Sequence, residues 1–115
     1  MTKNQNETSS CSHEAHDHQL RSDAVIQKTA ALFHALGDPA RLRIMELLYD
    51  GEHCVSELAN ETNDSMSLIS QRLKILFHAH LITKKRSGKH IYYALADDHV
   101  ITLLENAFKH IEEHE

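Results

Sequence analysis

The chain has little cysteine, proline, glycine or aromatic residue. Its 115 residues include two Cys, one Pro, three Gly and no Trp. Two cysteines cannot build a disulfide framework, which favours a reducing, cytoplasmic environment. So few glycines and prolines argue against an all-β fold with many tight turns. No apolar run reaches the ~18 residues of a membrane span, and residues 1–22 lack the apolar segment of a secretory signal, so we expect neither.

Histidine, by contrast, is abundant, and the charge is unevenly distributed. Eleven His in one small chain point to metal binding or pH sensing. The formal net charge is −5, yet residues 65–96 contain six of the 12 basic residues and no Asp or Glu. Binding to phosphates requires a basic face rather than a basic average, so this segment favours a nucleic-acid partner. A solvated helix face next to a charged hairpin is the simpler interpretation of the same charges.

Hydrophobic periodicity predicts a domain over residues 23–115 that is mostly helical. Residues 1–22 are polar and aperiodic, which predicts a flexible N-terminal arm containing His and Cys. Apolar residues at helical spacing predict four helices, at about 23–36, 39–49, 55–62 and 66–79, and a fifth with apolar positions between Val100 and Ile111. We expect Asp38 and Asp98 to cap the second and fifth helices, and His80 to lie on the apolar side of the fourth.

A β-hairpin is predicted between the fourth and fifth helices. Residues 81–86 and 89–95 flank Ser87-Gly88, and apolar residues alternate in the second arm. The third and fourth helices form a helix-turn-helix, and a hairpin directly after it is a wing. The order α-α-α-α-β-β-α therefore predicts an α+β, mostly α, winged helix-turn-helix fold.

The first and last helices carry more apolar surface than such a small centre can bury. We therefore expect a homodimer built from these two helices, which also suits a palindromic double-stranded operator. The alternative is a monomer whose last helix folds back on its own core.

Polar and basic residues of this unit are the predicted DNA contacts. At the front of the recognition helix they are Ser65, Ser67, Ser70, Gln71 and Arg72. In the wing they are Lys84, Lys85, Arg86 and Lys89. Gln can read adenine and Arg can read guanine, although Arg72 could instead hold only phosphate. The wing cations are expected at the hairpin tip, within reach of phosphates.

The last helix carries a candidate metal site of Asp97, His99, His110 and Glu113. His99 and His110 are 11 positions apart, so they share a helix face but lie roughly 16 Å apart along the axis. One helix therefore cannot hold one ion with both, whereas two antiparallel copies can. Two nitrogen and two oxygen ligands suit tetrahedral Zn²⁺, and His114 is an alternative to Glu113. The simpler interpretation is an ordinary polar helix face.

A second group of metal-binding residue types lies in the arm and at the third helix. The arm contributes Cys11, His13, His16 and His18, and Cys54 begins the third helix. Thiolate and imidazole together suit Zn²⁺ or the softer Cd²⁺, Pb²⁺ and Cu⁺. Which histidines would be used stays open, and Cys54 could equally be a small buried hydrophobe.

Four segments in this order resemble the ArsR/SmtB family of metal-sensing repressors. They are residues 35–44 (ALGDPARLRI), 54–59 (CVSELA), 65–76 (SMSLISQRLKIL) and 87–93 (SGKHIYY). The resemblance runs from about residue 24 to 113. It implies a homodimer that represses a metal export or sequestration operon and leaves the DNA when metal binds.

The resemblance also bears on individual residues. Zinc-sensing members use an Asp-x-His pair and a later His with an acid or His three residues on, which points to the same four positions of the last helix. The family further implies that Cys54 binds metal with help from the arm, and that the second ring nitrogen of His110 donates to a backbone carbonyl near His80. Ser56 stands where arsenite sensors have a second Cys, so no arsenite site is expected.

The sequence thus predicts a metal-responsive transcriptional repressor. The expected signal is Zn²⁺, and Cd²⁺, Co²⁺, Pb²⁺ and Cu⁺ are the alternative ions. One alternative is a repressor of the same fold that senses thiol oxidation through Cys11 and Cys54. Another is a metal-buffering protein. An enzyme is not expected, because the chain has no nucleophile–base pattern, no phosphate loop and no room for an organic substrate.

Overall fold

The structure, a computed structural model, describes residues 19–115, so residues 1–18 of the predicted arm lie outside it. Its helices are α1 (Asp23–Leu36), α2 (Pro39–Tyr49), α3 (Val55–Thr62), α4 (Met66–His78) and α5 (Asp98–Glu113). Its strands are β1 (His53–Cys54), β2 (Ile82–Ser87) and β3 (His90–Leu95). They form an antiparallel sheet in the order β1-β3-β2. The predicted winged helix-turn-helix order is confirmed, with the addition of β1, which is too short for periodicity to reveal.

Polar side chains fix the starts of most helices. Ser22, Asp38 and Ser65 each accept a hydrogen bond from the backbone N–H three residues on. At α5 the cap is Asp97, whose carboxylate accepts the Val100 N–H at 3.1 Å. The prediction of Asp98 as that cap was therefore wrong. Asp97 has the extended backbone that a cap requires, whereas the next residue is already helical.

Arg41 fixes the junction between α1 and α2. Its Nε donates to the Ala35 carbonyl at 2.7 Å, and a second guanidinium nitrogen donates to the His34 carbonyl at 3.3 Å. The last carbonyls of a helix have no partner within the helix, so a guanidinium placed there satisfies them and holds the two helices at a fixed angle.

The core lies between α2, α3, α4 and the base of the hairpin. Its most fully buried side chains are Ile44, Met45, Leu58, Ile69, Leu73, Leu76 and Leu81. Burial of the predicted apolar positions of α4 turns the opposite face of that helix to solvent. The expectation that His80 shares the apolar side was wrong. The helix ends at His78, and His80 adopts a left-handed backbone with φ of 63° in the loop before β2.

Much of the apolar surface of α1 lacks a partner within the described chain. Ala35 is the only residue of α1 that is fully buried there. Val25 and Phe33 are 47% and 55% exposed, and Ile26 is 56% exposed. Ile111 near the end of α5 is 63% exposed. The central unit therefore leaves much of the apolar surface of α1 exposed, whereas α5 buries Val100 and Leu104 and exposes Ile111.

The wing turn lies one residue later than predicted. Ser87 pairs with His90 at the end of the ladder, so the two-residue turn is Gly88-Lys89 and not Ser87-Gly88. Gly88 has φ of +65°, a conformation that a glycine at the first position of a two-residue hairpin turn adopts without strain.

Candidate DNA interface and metal-ligand residues

The solvent face of α4 carries a line of polar side chains. Ser67, Gln71, Lys74 and His78 follow one another at spacings of four, three and four residues, and all are exposed. Of the predicted contacts, Ser67, Ser70 and Gln71 are exposed, whereas the hydroxyl of Ser65 already accepts the Leu68 N–H at 3.1 Å. Lys74 was not among the predicted contacts, although continuing the 3.6-residue period from Gln71 would have found it.

Arg72 is directed toward the turn before α4. One terminal nitrogen lies 2.8 Å from a carboxylate oxygen of Asp64, and the two side chains are 22% and 34% exposed. This ion pair ties the recognition helix to the turn of the helix-turn-helix. The remaining guanidinium N–H groups are available for a phosphate, which is the alternative role given to Arg72 above.

The four wing cations have different surroundings. The ammonium of Lys84 lies 4.4 Å from the centre of the Phe77 ring, and that of Lys85 lies 3.4 Å from a Glu52 oxygen. Arg86 is the last but one residue of β2, and Lys89 lies in the turn. Both are exposed, and no ion pair involves either of them within residues 19–115. The cations at the tip are thus Arg86 and Lys89.

The α5 ligand candidates form two separate pairs. Asp97 and His99 are close together, with 3.7 Å between a carboxylate oxygen and the ring Nδ1. The His99 side chain is 97% exposed, and one Asp97 oxygen is used for the helix cap. At the other end, the His110 ring lies 4.5 Å from that of His114, measured between centres.

The His110 pair bears on the choice of the fourth ligand. His114 Nδ1 is 2.7 Å from the His110 carbonyl oxygen, so the hydrogen bond leaves Nε2 of His114 for another partner. Glu113 makes no ion pair within residues 19–115. In the described part of the chain no three His, Cys, Asp or Glu side chains come together as a metal site. The donors fit Zn²⁺ chemically, but one chain supplies only two at each end of α5.

Cys54 lies at the N-terminus of α3 and is 6% exposed. Its Sγ is 3.2 Å from the Ser56 hydroxyl, and its N–H donates to Glu57 at 3.0 Å. That hydrogen bond is the main cause of a lowered pKa of Glu57, to which His53 at 3.4 Å also contributes. The thiol is therefore buried beside the Ser56 hydroxyl, and His53 and Glu57 lie at the same end of α3. The other predicted members, Cys11, His13, His16 and His18, lie outside the described residues.

His80 and Asp97 line the same cavity. It has a volume of about 500 Å³ and lies between the end of α4, the start of β2 and the loop before α5. The end of the recognition helix is therefore next to the first residue of the predicted α5 metal site.

Helix α4 packs one face on the core and exposes the other, a short turn joins it to α3, and a basic hairpin follows it. These features define a winged helix-turn-helix DNA-binding domain. None of the helices within residues 19–115 combines the length and the apolar character needed to cross a membrane.

Comparison with known proteins extends this assignment. Residues 38–84 match the profile of the bacterial regulatory protein, arsR family. A transcriptional repressor SmtB homolog from Synechocystis is 41% identical over 76% of this chain, which spans 66% of that relative. A cadmium resistance transcriptional regulatory protein CadC homolog from Staphylococcus aureus is 38% identical over 73% of this chain and 70% of the relative.

A solved structure agrees with the fold. The homodimeric winged helix-turn-helix DNA-binding domain of a possible ArsR-family regulator from Mycobacterium bovis superimposes with a TM-score of 0.78. It is 30% identical and covers 82% of this chain and 90% of its own. The chain belongs to the ArsR family of bacterial regulatory proteins, whose members are transcriptional regulators and not enzymes.

Proposed function

We propose that the protein is a homodimeric repressor that binds a palindromic operator and is released when Zn²⁺ or a similar ion binds. The observation that carries the proposal is that one chain combines a basic winged helix-turn-helix with two incomplete ligand pairs at opposite ends of α5. A ligand-responsive dimer needs a DNA-binding element and a ligand site, and here the metal site would be completed by the second chain. Such a repressor acts in the bacterial cytoplasm.

Two features of the terminal helices support the dimer. Val25, Ile26 and Phe33 of α1 are apolar and exposed, and a two-fold partner would cover them. On α5, Leu103 and Ala107 lie between His99 and His110 on the same side, because 11 residues complete three turns. An antiparallel contact of two α5 helices along this side would bring His99 of one protomer next to His110 of the other.

The metal site would then be shared between the protomers. Asp97 and His99 of one chain and His110 with Glu113 or His114 of the other would hold the ion, and the dimer would contain two such sites. Bound Zn²⁺ would cross-link the two protomers through neutral imidazoles and carboxylates. The CadC homolog among the relatives is a cadmium resistance regulator by name, which supports a divalent metal as the signal.

Communication with the DNA would pass through the end of α4. His80 shares a cavity with Asp97, so a movement at the start of α5 on metal binding would reach the loop that follows the recognition helix. A hydrogen bond from His110 to a backbone carbonyl near His80 is the link that we propose. Its loss would keep zinc affinity and abolish the effect of zinc on DNA binding.

A second site would use Cys54 with Cys11 and some of His13, His16 and His18. The buried thiol with His53 and Glu57 nearby supports ligation at this end of α3. The derepressed genes would encode metal efflux or sequestration proteins.

The test is the affinity for duplexes that the protein itself selects from a random library, measured by fluorescence anisotropy. Wild type, Cys54→Ser and His99→Ala are compared with Zn²⁺, Cd²⁺, Co²⁺, Ni²⁺ and with chelator. We expect Zn²⁺ to weaken wild-type binding at least tenfold and to have no effect on His99→Ala. His34→Ala, which removes an exposed imidazole of α1, is the matched control and should respond like wild type.

The outcomes separate the alternatives. Selection of no duplex by the wild type would favour a metal-buffering protein. DNA binding that ignores every metal in the presence of reductant, but is lost on oxidation, would favour a thiol sensor using Cys11 and Cys54. Glu113→Ala and His114→Ala, compared by zinc affinity, decide the fourth ligand.

A further inference from the structure

Lys84 lies at the joint between the wing and the recognition helix. Successive residues of a strand point to opposite faces, so Ile82, Lys84 and Arg86 share one face of β2. Ile82 is buried in the core, which turns this face toward α4. The Lys84 ammonium lies 4.4 Å from the centre of the Phe77 ring of α4, within the range of a cation–π contact.

The surroundings of Lys84 support a structural use of its charge. Tyr93 is its partner across the hairpin, and a groove of about 170 Å³ between α4 and the wing is lined by both, together with Ser70 and Phe77. The next lysine, Lys85, points to the opposite face and lies 3.4 Å from Glu52. Lys84 therefore connects the wing to the recognition helix across the short loop of residues 79–81.

We infer that Lys84 is a positioning residue that fixes the wing relative to the recognition helix, and that it does not contact phosphate. The inference rests on the proposed DNA-binding function. A wing and a recognition helix that contact one duplex must hold a fixed separation, so loosening their joint weakens binding. An exposed cation–π contact is worth roughly two- to fivefold in affinity per protomer.

Salt dependence distinguishes positioning from phosphate contact. Each phosphate contact contributes about 0.9 to the slope of log affinity against log salt, so losing one per protomer changes a dimer's slope by about 2. We expect Lys84→Met to weaken binding to the selected duplex while keeping the wild-type slope. Lys89→Met in the turn is the matched control and should lower the slope. Lys84→Arg should bind like wild type, because a guanidinium also stacks on a ring.

A double-mutant cycle with Phe77→Leu completes the test. Phe77→Leu should reproduce the loss of Lys84→Met, and the double variant should lose no more than either single one. A lowered slope in Lys84→Met, or additive losses in the double variant, would overturn the inference.

A measurement without DNA separates this inference from the proposed function. In the free protein the Lys84 ε-methylene protons should be shifted upfield by the Phe77 ring, and Phe77→Leu should abolish that shift in the NMR spectrum. Unshifted protons would overturn the contact. A shifted signal in a protein without salt-dependent DNA binding would overturn the function and leave the contact standing.

Discussion

Replacing Phe33 by Glu should dissociate the proposed dimer. Phe33 lies on α1, is 55% exposed in the single chain, and forms an apolar surface with Val25 and Ile26. In a two-fold dimer both copies of the ring become buried, so one substitution removes two apolar contacts and adds two carboxylates to the interface.

The magnitude follows from the exposed fraction. Burying a whole Phe side chain is worth up to about 3 kcal/mol, so the exposed half of Phe33 contributes roughly 1.5 kcal/mol. Two copies contribute about 3 kcal/mol, which corresponds to a roughly 100-fold rise in the dimer dissociation constant. Desolvation of the new carboxylates increases the effect further.

Sedimentation equilibrium over a range of protein concentrations measures this constant. Leu68→Glu is the matched control, because Leu68 is 42% exposed but lies on α4, away from the proposed interface. We expect the control to dimerise like wild type. A Phe33→Glu protein with the wild-type dimerisation constant would refute the α1 interface, and a shift of equal size in Leu68→Glu would show a general effect of charge.

Three further predictions concern stability and metal binding. Leu76→Ala should lower the free energy of unfolding in urea by about 2–5 kcal/mol, because the side chain is fully buried. Asp97→Asn should keep the α5 cap and the melting temperature but lose at least about tenfold in zinc affinity, whereas Asp97→Ala should also lose about 1 kcal/mol of stability. The pKa of Glu57 is lower in the folded protein than in the unfolded chain, so the ionised carboxylate stabilises the fold above the ordinary pKa of Glu. This stabilisation is lost as the pH falls through the pKa of the folded state. Glu57→Gln should therefore make the free energy of unfolding less dependent on pH in the acid range.

Each of these has an outcome that contradicts it. Equal losses for Leu76→Ala and Leu68→Ala would mean that α4 is not packed as described. Unchanged zinc affinity in Asp97→Asn would remove Asp97 from the metal site. A free energy of unfolding that depends on pH in the acid range identically in wild type and Glu57→Gln would show that the hydrogen bond to Cys54 does not persist in solution.

The helices were predictable because their signals are local. Asp38-Pro39 and Ser65 combine a capping side chain with an apolar period that follows at once, and the structure begins α2 and α4 there. The wing was predicted from alternation and a glycine, but its turn moved by one residue, since register depends on the paired strand. β1 was missed because two residues show no period, and pairing with β3 alone defines it.

The sequence predicted which residue types could bind metal or DNA, but it did not predict the contacts that those side chains make. Residue type and spacing identified Asp97, His99 and His110 as candidate ligands, and the structure places Asp97 close to His99 and His110 beside His114. Lys84 and Arg72 have the same charge as the tip cations, yet Lys84 contacts the Phe77 ring and Arg72 is paired with Asp64.

The order of the elements, the apolar faces and the basic segment can be read from the amino-acid sequence alone, because periodicity, capping and composition act over a few neighbouring residues. Contacts between elements set which cations face outward and which helix surfaces stay exposed within residues 19–115. Those properties depend on contacts such as Arg41 to Ala35, Lys84 to Phe77 and Lys85 to Glu52, which join separate elements of the fold. A side chain's charge is a property of its type, but its availability to DNA or metal is a property of what it touches.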